Sequence, residues 1–174
     1  MWQYYLLAGE CIVSSEPSQV TTVLGSCVST TFFDPDSKTG GIFHALLPRR
    51  ADYEKQAANH KDPVYRFVDT ALMAVHDEFM RIGARPGKLQ VKVFGGAEVL
   101  IPEELCLENK SVGAQNVRAA FEVVQKLGLR VTASDVGGNR GRKIIFLTHT
   151  GEVLLKRLHA NEEKGLKSND RAGG

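Results

Sequence analysis

The chain has 174 residues, 43% apolar and 24% charged, enough to bury a sizeable core and too apolar for a disordered polymer. Its formal charge of +2 comes without a basic stripe, which argues against nucleic acid as a partner. No apolar run approaches the roughly 20 residues of a membrane span, and "MWQYYLLAGECIVSS" lacks the pattern of a signal peptide, so no membrane insertion is expected.

The first half reads as strands. "QYYLLAGECIVSS" is rich in aromatic and β-branched residues and breaks at Ala8-Gly9; "QVTTVL" follows a turn at Glu16-Pro17-Ser18. "CVSTTFF" and "GIFHALL" flank "DPDSKTG", whose Asp, Pro, Ser and Gly content is hairpin chemistry. A polar loop from Pro48 to Asp62 then carries Arg49, Arg50, Lys55, His60 and Lys61.

Two helices stand out. Val64, Phe67, Val68, Ala71, Leu72, Val75, Phe79 and Ile82 form a helical stripe over 63–82, with Asp62 placed to cap it, Pro63 in the first turn and Gly83 at the end. Val117, Ala120, Phe121, Val124 and Leu127 form a second stripe over about 113–127, closed by Gly128. Between them "KLQVKVFGGAEVL" alternates like a half-buried strand before a double glycine. "LRVTASD" reads as a strand, "VGGNRG" as a tight loop, and "KIIFLTH" with "EVLLKRL" as a hairpin around Thr150-Gly151. The fold class is therefore α+β: layered mixed or antiparallel β-sheets with two main helices packed on the outside. Residues 1–160 read as one domain and 161–174 as a flexible tail.

Three cysteines, Cys11, Cys27 and Cys106, show no metal-like or redox-like spacing, so a reduced, cytoplasmic setting is expected. His60, His76, His149 and His159 also lack ligand spacing, and no metal or cofactor is expected. Cys11 and Cys106 are taken as packing residues. Cys27 differs because Gly25 and Ser26 precede it at a strand boundary. Gly25 permits a sharp bend or a positive φ, and backbone N–H groups at Ser26 and Cys27 are candidate oxyanion donors.

A cysteine becomes nucleophilic beside an imidazolium, and His44 is the nearest candidate in the chain. If Pro35 to Lys38 form a four-residue hairpin loop, Asp34 faces Thr39 and His44 lies opposite Ser29. It is then two positions from Cys27 on the same face, about 7–8 Å away at the backbone. A two-residue turn would place the pair directly opposite. A six-residue loop would separate it by roughly 13 Å and break it. On the residues alone, a cysteine beside apolar neighbours is more often a buried hydrophobe than a nucleophile, and both readings of Cys27 stay open.

"TTVLGSCVSTTFFDPDSKTGGIFHALLP" strongly resembles the signature of the chemoreceptor glutamine deamidase family, CheD. "AGE" at 8–10, "GGA" at 95–97, "SVGAQNV" at 111–117 and "DVGGNRGR" at 135–142 resemble further blocks of that family in the same order. The resemblance spans about residues 5–158. Val136 stands where the pattern leads one to expect a threonine.

The resemblance implies a cytoplasmic chemotaxis enzyme that hydrolyses glutamine side chains of methyl-accepting chemoreceptors to glutamate and ammonia, through a Cys thioester. It implies a catalytic Cys27, His44 and Thr21, with Gly25 and Ser26 at the oxyanion, and a fold like that of the cytotoxic necrotizing factor toxins. Thr21 lies six residues before Cys27, so it joins the site only if the chain turns near Leu24-Gly25. Glutamyl methylesterase activity is a natural side reaction, and the chemotaxis phosphatase CheC is an implied partner. Two other functions remain open at this point: a regulatory module docking to CheC, and a small-molecule cysteine amidase.

Overall fold

A computed structural model describes residues 1–53, 64–98 and 111–159. Cys106, His60, Asp62, Pro63, most of the basic loop and the 161–174 tail lie outside the described residues.

Among the described residues, nine strands form two stacked sheets. The first has the order β1 (Trp2–Tyr5), β3 (Ser18–Leu24), β8 (Arg142–Leu147), β9 (Val153–Arg157), with β1 and β3 parallel and the other pairs antiparallel. The second has the order β2 (Cys11–Ser14), β5 (Thr39–Ala45), β4 (Val28–Asp34), β6 (Gln90–Gly95), β7 (Val131–Val136), antiparallel except for β6 with β7. Helices α1 (Val68–Arg81) and α2 (Val112–Lys126) cover the outer face of the second sheet. This is the α+β layering read from the sequence.

Alternation along the strands sorts the side chains into two cores. Leu6, Val20, Leu24, Ile42, Phe94, Ile144 and Phe146 fill the space between the sheets. Val28, Phe32, Phe43, Val91 and Val93 instead meet Ala71, Leu72, Val75 and Phe79 of α1 and Ala120 and Val124 of α2. β4 and β5 are buried at every position because they are sandwiched on both faces. Their register is that of the four-residue loop, with Asp34 opposite Thr39 and His44 opposite Ser29. Asp34 holds that loop by accepting from the Ser37 hydroxyl at 2.7 Å.

Helix α1 begins at Val68, five residues later than its apolar stripe suggests. Residues 64–66 form a 3-10 turn, and Phe67 is extended and bridges to Leu47. Its buried ring lies 5.9 Å from that of Tyr53. Gly83, at φ +85°, ends the helix as expected. Ser111 caps α2 by accepting from the Ala114 N–H at 3.1 Å. No helix among the described residues is long and apolar enough to cross a membrane.

Candidate active site

β3 belongs to one sheet and β4 to the other, so residues 25–27 carry the chain across the gap. Cys27 sits at that crossing, half-buried, with its side chain packed against the inter-sheet core. Three successive carbonyls of the crossing are held. The Ala97 N–H donates to Gly25 O at 2.8 Å and the Gly96 N–H to Cys27 O at 2.8 Å. Asn116 Nδ2 donates to Ser26 O at 2.9 Å. Among the described residues, neither the Ser26 nor the Cys27 N–H donates to a backbone carbonyl.

Of the two possibilities that Gly25 opens, a sharp bend or a positive φ, the structure does not use the second. Gly25 is not among the positive-φ residues; Gly95 (φ +107°) and Gly96 (φ +68°) are. The glycine freedom lies in the strand that holds the cysteine loop, where a Cβ on Gly95 would overlap the Cys27 carbonyl oxygen. Gly113 at the start of α2 meets the same turn, since a Cβ there would lie 2.7 Å from Gly96 O. The "GGA" and "SVGAQNV" blocks are thus packed on each other behind the thiol.

His44 projects from β5 into the inter-sheet layer, on the face shared with Ile42, and is 6% exposed. Its Nδ1 lies 2.9 Å from Thr22 Oγ1, and the Thr22 hydroxyl donates to Leu6 O at 2.7 Å. A threonine hydroxyl has one proton. With that proton on Leu6 O, Thr22 accepts from Nδ1–H, which leaves Nε2 as the basic nitrogen.

The threonine beside the imidazole differs from the one the resemblance implies. Thr22, not Thr21, contacts the imidazole. On β3 the buried set is Ser18, Val20, Thr22 and Leu24, so Thr21 faces the other side of its sheet, between Tyr5 and Ile145 in the ladder. The signal was present in the sequence, because Thr22 has the parity of the apolar Val20 and Leu24.

Burial sets the protonation states. Desolvation pushes the Cys27 thiol up to about 11, opposed by its own backbone N–H. It pushes His44 down to about 4, opposed by the Leu6 carbonyl and the Glu10 charge. The resting pair is therefore neutral, thiol with imidazole, and not the imidazolium pairing anticipated from the sequence.

The depressed His44 value makes stability depend on pH. Between about 4 and the unfolded value near 6.5 the unfolded chain binds the extra proton, so acid favours unfolding. His44 should contribute on the order of 3 kcal/mol above pH 6.5, lost progressively as pH falls to 4. Urea unfolding from pH 4 to 7.5 should show this slope in the wild type and a flatter one in His44→Gln. Parallel slopes would contradict it.

The "DVGGNRGR" block is a braced turn beside this site. Buried Arg142 donates to Asp135 at 2.6 Å, to Gly137 O at 2.7 Å and to Arg140 O at 3.1 Å. The turn meets the glycine strand through Gly137 N–H to Gly95 O at 2.9 Å and Glu98 N–H to Gly138 O at 2.8 Å. Cys11 is half-buried against the helix-side core, remote in packing from the Cys27 face. Of the basic loop, Arg49 pairs with Glu122 of α2, and the Arg50 N–H donates to Asp69. Sequence reasoning missed Asn116, although a polar residue on the buried stripe of α2 with Gly113 and Ala120 was a visible signal.

The family model described as "CheD chemotactic sensory transduction" matches residues 46–157. A Geobacter sulfurreducens protein named "Probable chemoreceptor glutamine deamidase CheD 2" is 47% identical over 158 residues, 91% of each chain. A match of that length contains residues 22, 27, 44 and 116 wherever it begins in a 174-residue chain. "Probable chemoreceptor glutamine deamidase CheD" proteins of Maridesulfovibrio salexigens and Pyrococcus abyssi are 40% and 36% identical, covering 88% and 89% of this chain and 91% and 87% of their own. A thiol and a tautomer-fixed imidazole on one face, within blocks that relatives match over nearly their whole length, leave one assignment: the chain belongs to the CheD family.

Proposed function

We propose that this protein is a chemoreceptor glutamine deamidase that converts receptor glutamine side chains to glutamate, releasing ammonia, in the cytoplasm. The observation that carries the chemistry is the Thr22–His44 hydrogen bond, which makes Nε2 the basic nitrogen of an imidazole lying in the inter-sheet layer against which the thiol also packs. The family and its relatives' names supply the substrate class.

Each step follows from the neutral resting pair. As the thiol sulfur attacks the glutamine Cδ, His44 Nε2 takes its proton, so the charged pair exists only during attack. The amide oxygen becomes an oxyanion facing the Cys27 and Ser26 N–H groups. The imidazolium then gives its proton to the amide nitrogen, ammonia leaves, and a γ-glutamyl thioester remains. Nε2 next activates water, which attacks the thioester carbonyl; the thiolate leaves and recovers the proton, giving glutamate. A glutamyl methyl ester enters the same cycle with methanol leaving, so methylesterase activity belongs to this proposal. Docking to a CheC phosphatase, where one is present, is its regulatory part.

The test follows ammonia release and peptide masses with a receptor cytoplasmic domain and, separately, with free glutamine. Conversion of receptor peptides alone supports the reading. Conversion of free glutamine alone would select a small-molecule amidase, and no conversion of either would leave docking as the function.

The choice between Thr22 and Thr21 has its own outcome. Thr22→Val removes the acceptor of Nδ1–H and should lower kcat about 10- to 100-fold. Thr21→Val, on the opposite face, should stay within about threefold. The reverse ranking, measured on the same receptor domain, would restore Thr21.

A further inference from the structure

Asn116 lies on α2, is fully buried, and uses both amide hydrogens. Nδ2 donates to Ser26 O and to Leu46 O, each at 2.9 Å. The first carbonyl belongs to the peptide whose nitrogen is that of Cys27. The second lies two residues beyond His44, just past the end of β5. Only a carboxamide or a cation supplies two such donors from one nitrogen, and a cation here would be buried without a counter-charge. Asn116 Oδ1, by contrast, has no partner among the described residues. An unpaired buried acceptor costs about 1–3 kcal/mol, and the neighbouring Ala119 and Ala120 fill the same interface without that cost. That cost stands beside two hydrogen bonds to Ser26 O and Leu46 O, so what the asparagine supplies at this position is a fixed direction for those two carbonyls.

A trans peptide points its C=O and N–H in opposite directions. With Ser26 O turned toward α2, the Cys27 N–H is turned away from it, toward its own sulfur and the inter-sheet layer. The neighbouring carbonyls are fixed by backbone donors of Gly96 and Ala97, whereas this central one depends on a single side chain.

We propose that Asn116 is a positioning residue. Its carboxamide sets the plane of the Ser26–Cys27 peptide so that the Cys27 N–H faces the reacting carbonyl, and it ties that peptide to the end of the histidine strand. The oxyanion part of this inference rests on the deamidase reading; the orientation of the peptide does not.

Two variants and two readouts test it. Asn116→Asp keeps the shape but, when ionised, offers only acceptors to two carbonyl oxygens. Asn116→Ser keeps one donor. The aspartate variant should lose about 100-fold in kcat and the serine variant about tenfold, with KM within about threefold of wild type. Protein labelled with 15N-cysteine gives one amide cross-peak for each of its three cysteines, and those of Cys27 and Cys11 are followed separately. The Cys27 cross-peak should move in both variants while that of Cys11, on β2, stays. General loosening of the fold would move both or neither. If the aspartate variant does not fold, the serine variant decides. A folded variant with wild-type kcat, or with an unmoved Cys27 amide, overturns the proposal. If the wild type converts no receptor glutamine, the deamidase reading has failed, and the cross-peak still decides the orientation of the peptide.

Discussion

Cys27→Ala is expected to cut receptor glutamine conversion by about 10⁴-fold or more while leaving the protein folded. The sulfur is half-buried at the edge of the inter-sheet core, so its removal opens little cavity, and the melting temperature should stay within a few degrees. His44, Thr22 and the crossing carbonyls keep their partners, which makes the loss one of chemistry rather than structure. Cys11→Ala is the control, since that thiol packs on the helix side of the second sheet and should retain full activity. In the free enzyme, alkylation of Cys27 should be slow at pH 7 and quicken with rising pH toward about 11. An alkylation midpoint well below about 8.5, the ordinary thiol value, would restore a resting thiolate–imidazolium pair. Activity above a hundredth of wild type in the alanine variant would remove Cys27 as nucleophile.

What the sequence conveyed was local, and what it hid was the meeting of sheets. The "DPDSKTG" hairpin fixed its own register because loop length and turn chemistry decide it, and that register put His44 on the face of Cys27. The apolar stripes likewise located both helices. The start of α1 was misplaced because Phe67 fits a helical stripe but its backbone is held extended by a bridge to Leu47, a contact 20 residues away in the chain. The contact of Thr22 rather than Thr21 with His44 was hidden for a related reason. Matching a motif by its offset from Cys27 ignores strand parity, and on β3 one residue's shift exchanges the inner face for the outer. Asn116 was invisible as a clamp because its two acceptors, at 26 and 46, come together only when the β3–β4 crossing and the end of β5 pack under α2.

Gly95→Ala is expected to damage both stability and catalysis, and its two effects can be separated. A side chain at φ +107° costs about 1–3 kcal/mol in backbone strain, equivalent to roughly 2–12 °C in melting temperature for a chain of this size. The added methyl also meets the Cys27 carbonyl oxygen, which is backbone and has no rotamer to escape into. Relief requires the crossing to move, and that breaks the Gly96 N–H to Cys27 O bond that aims the thiol. A misplacement of about 1 Å at the reacting atom costs on the order of 100-fold in kcat. Gly128→Ala at the end of α2 supplies the comparison, with a positive φ of +67° but nothing within 4 Å of the added carbon. It should lower the melting temperature through strain alone and leave kcat intact. If Gly95→Ala behaves the same way, losing stability but not rate, the glycine strand supports the fold without positioning Cys27. A large kcat loss confined to Gly95→Ala would show that the close approach of β6 to the crossing is what places the sulfur.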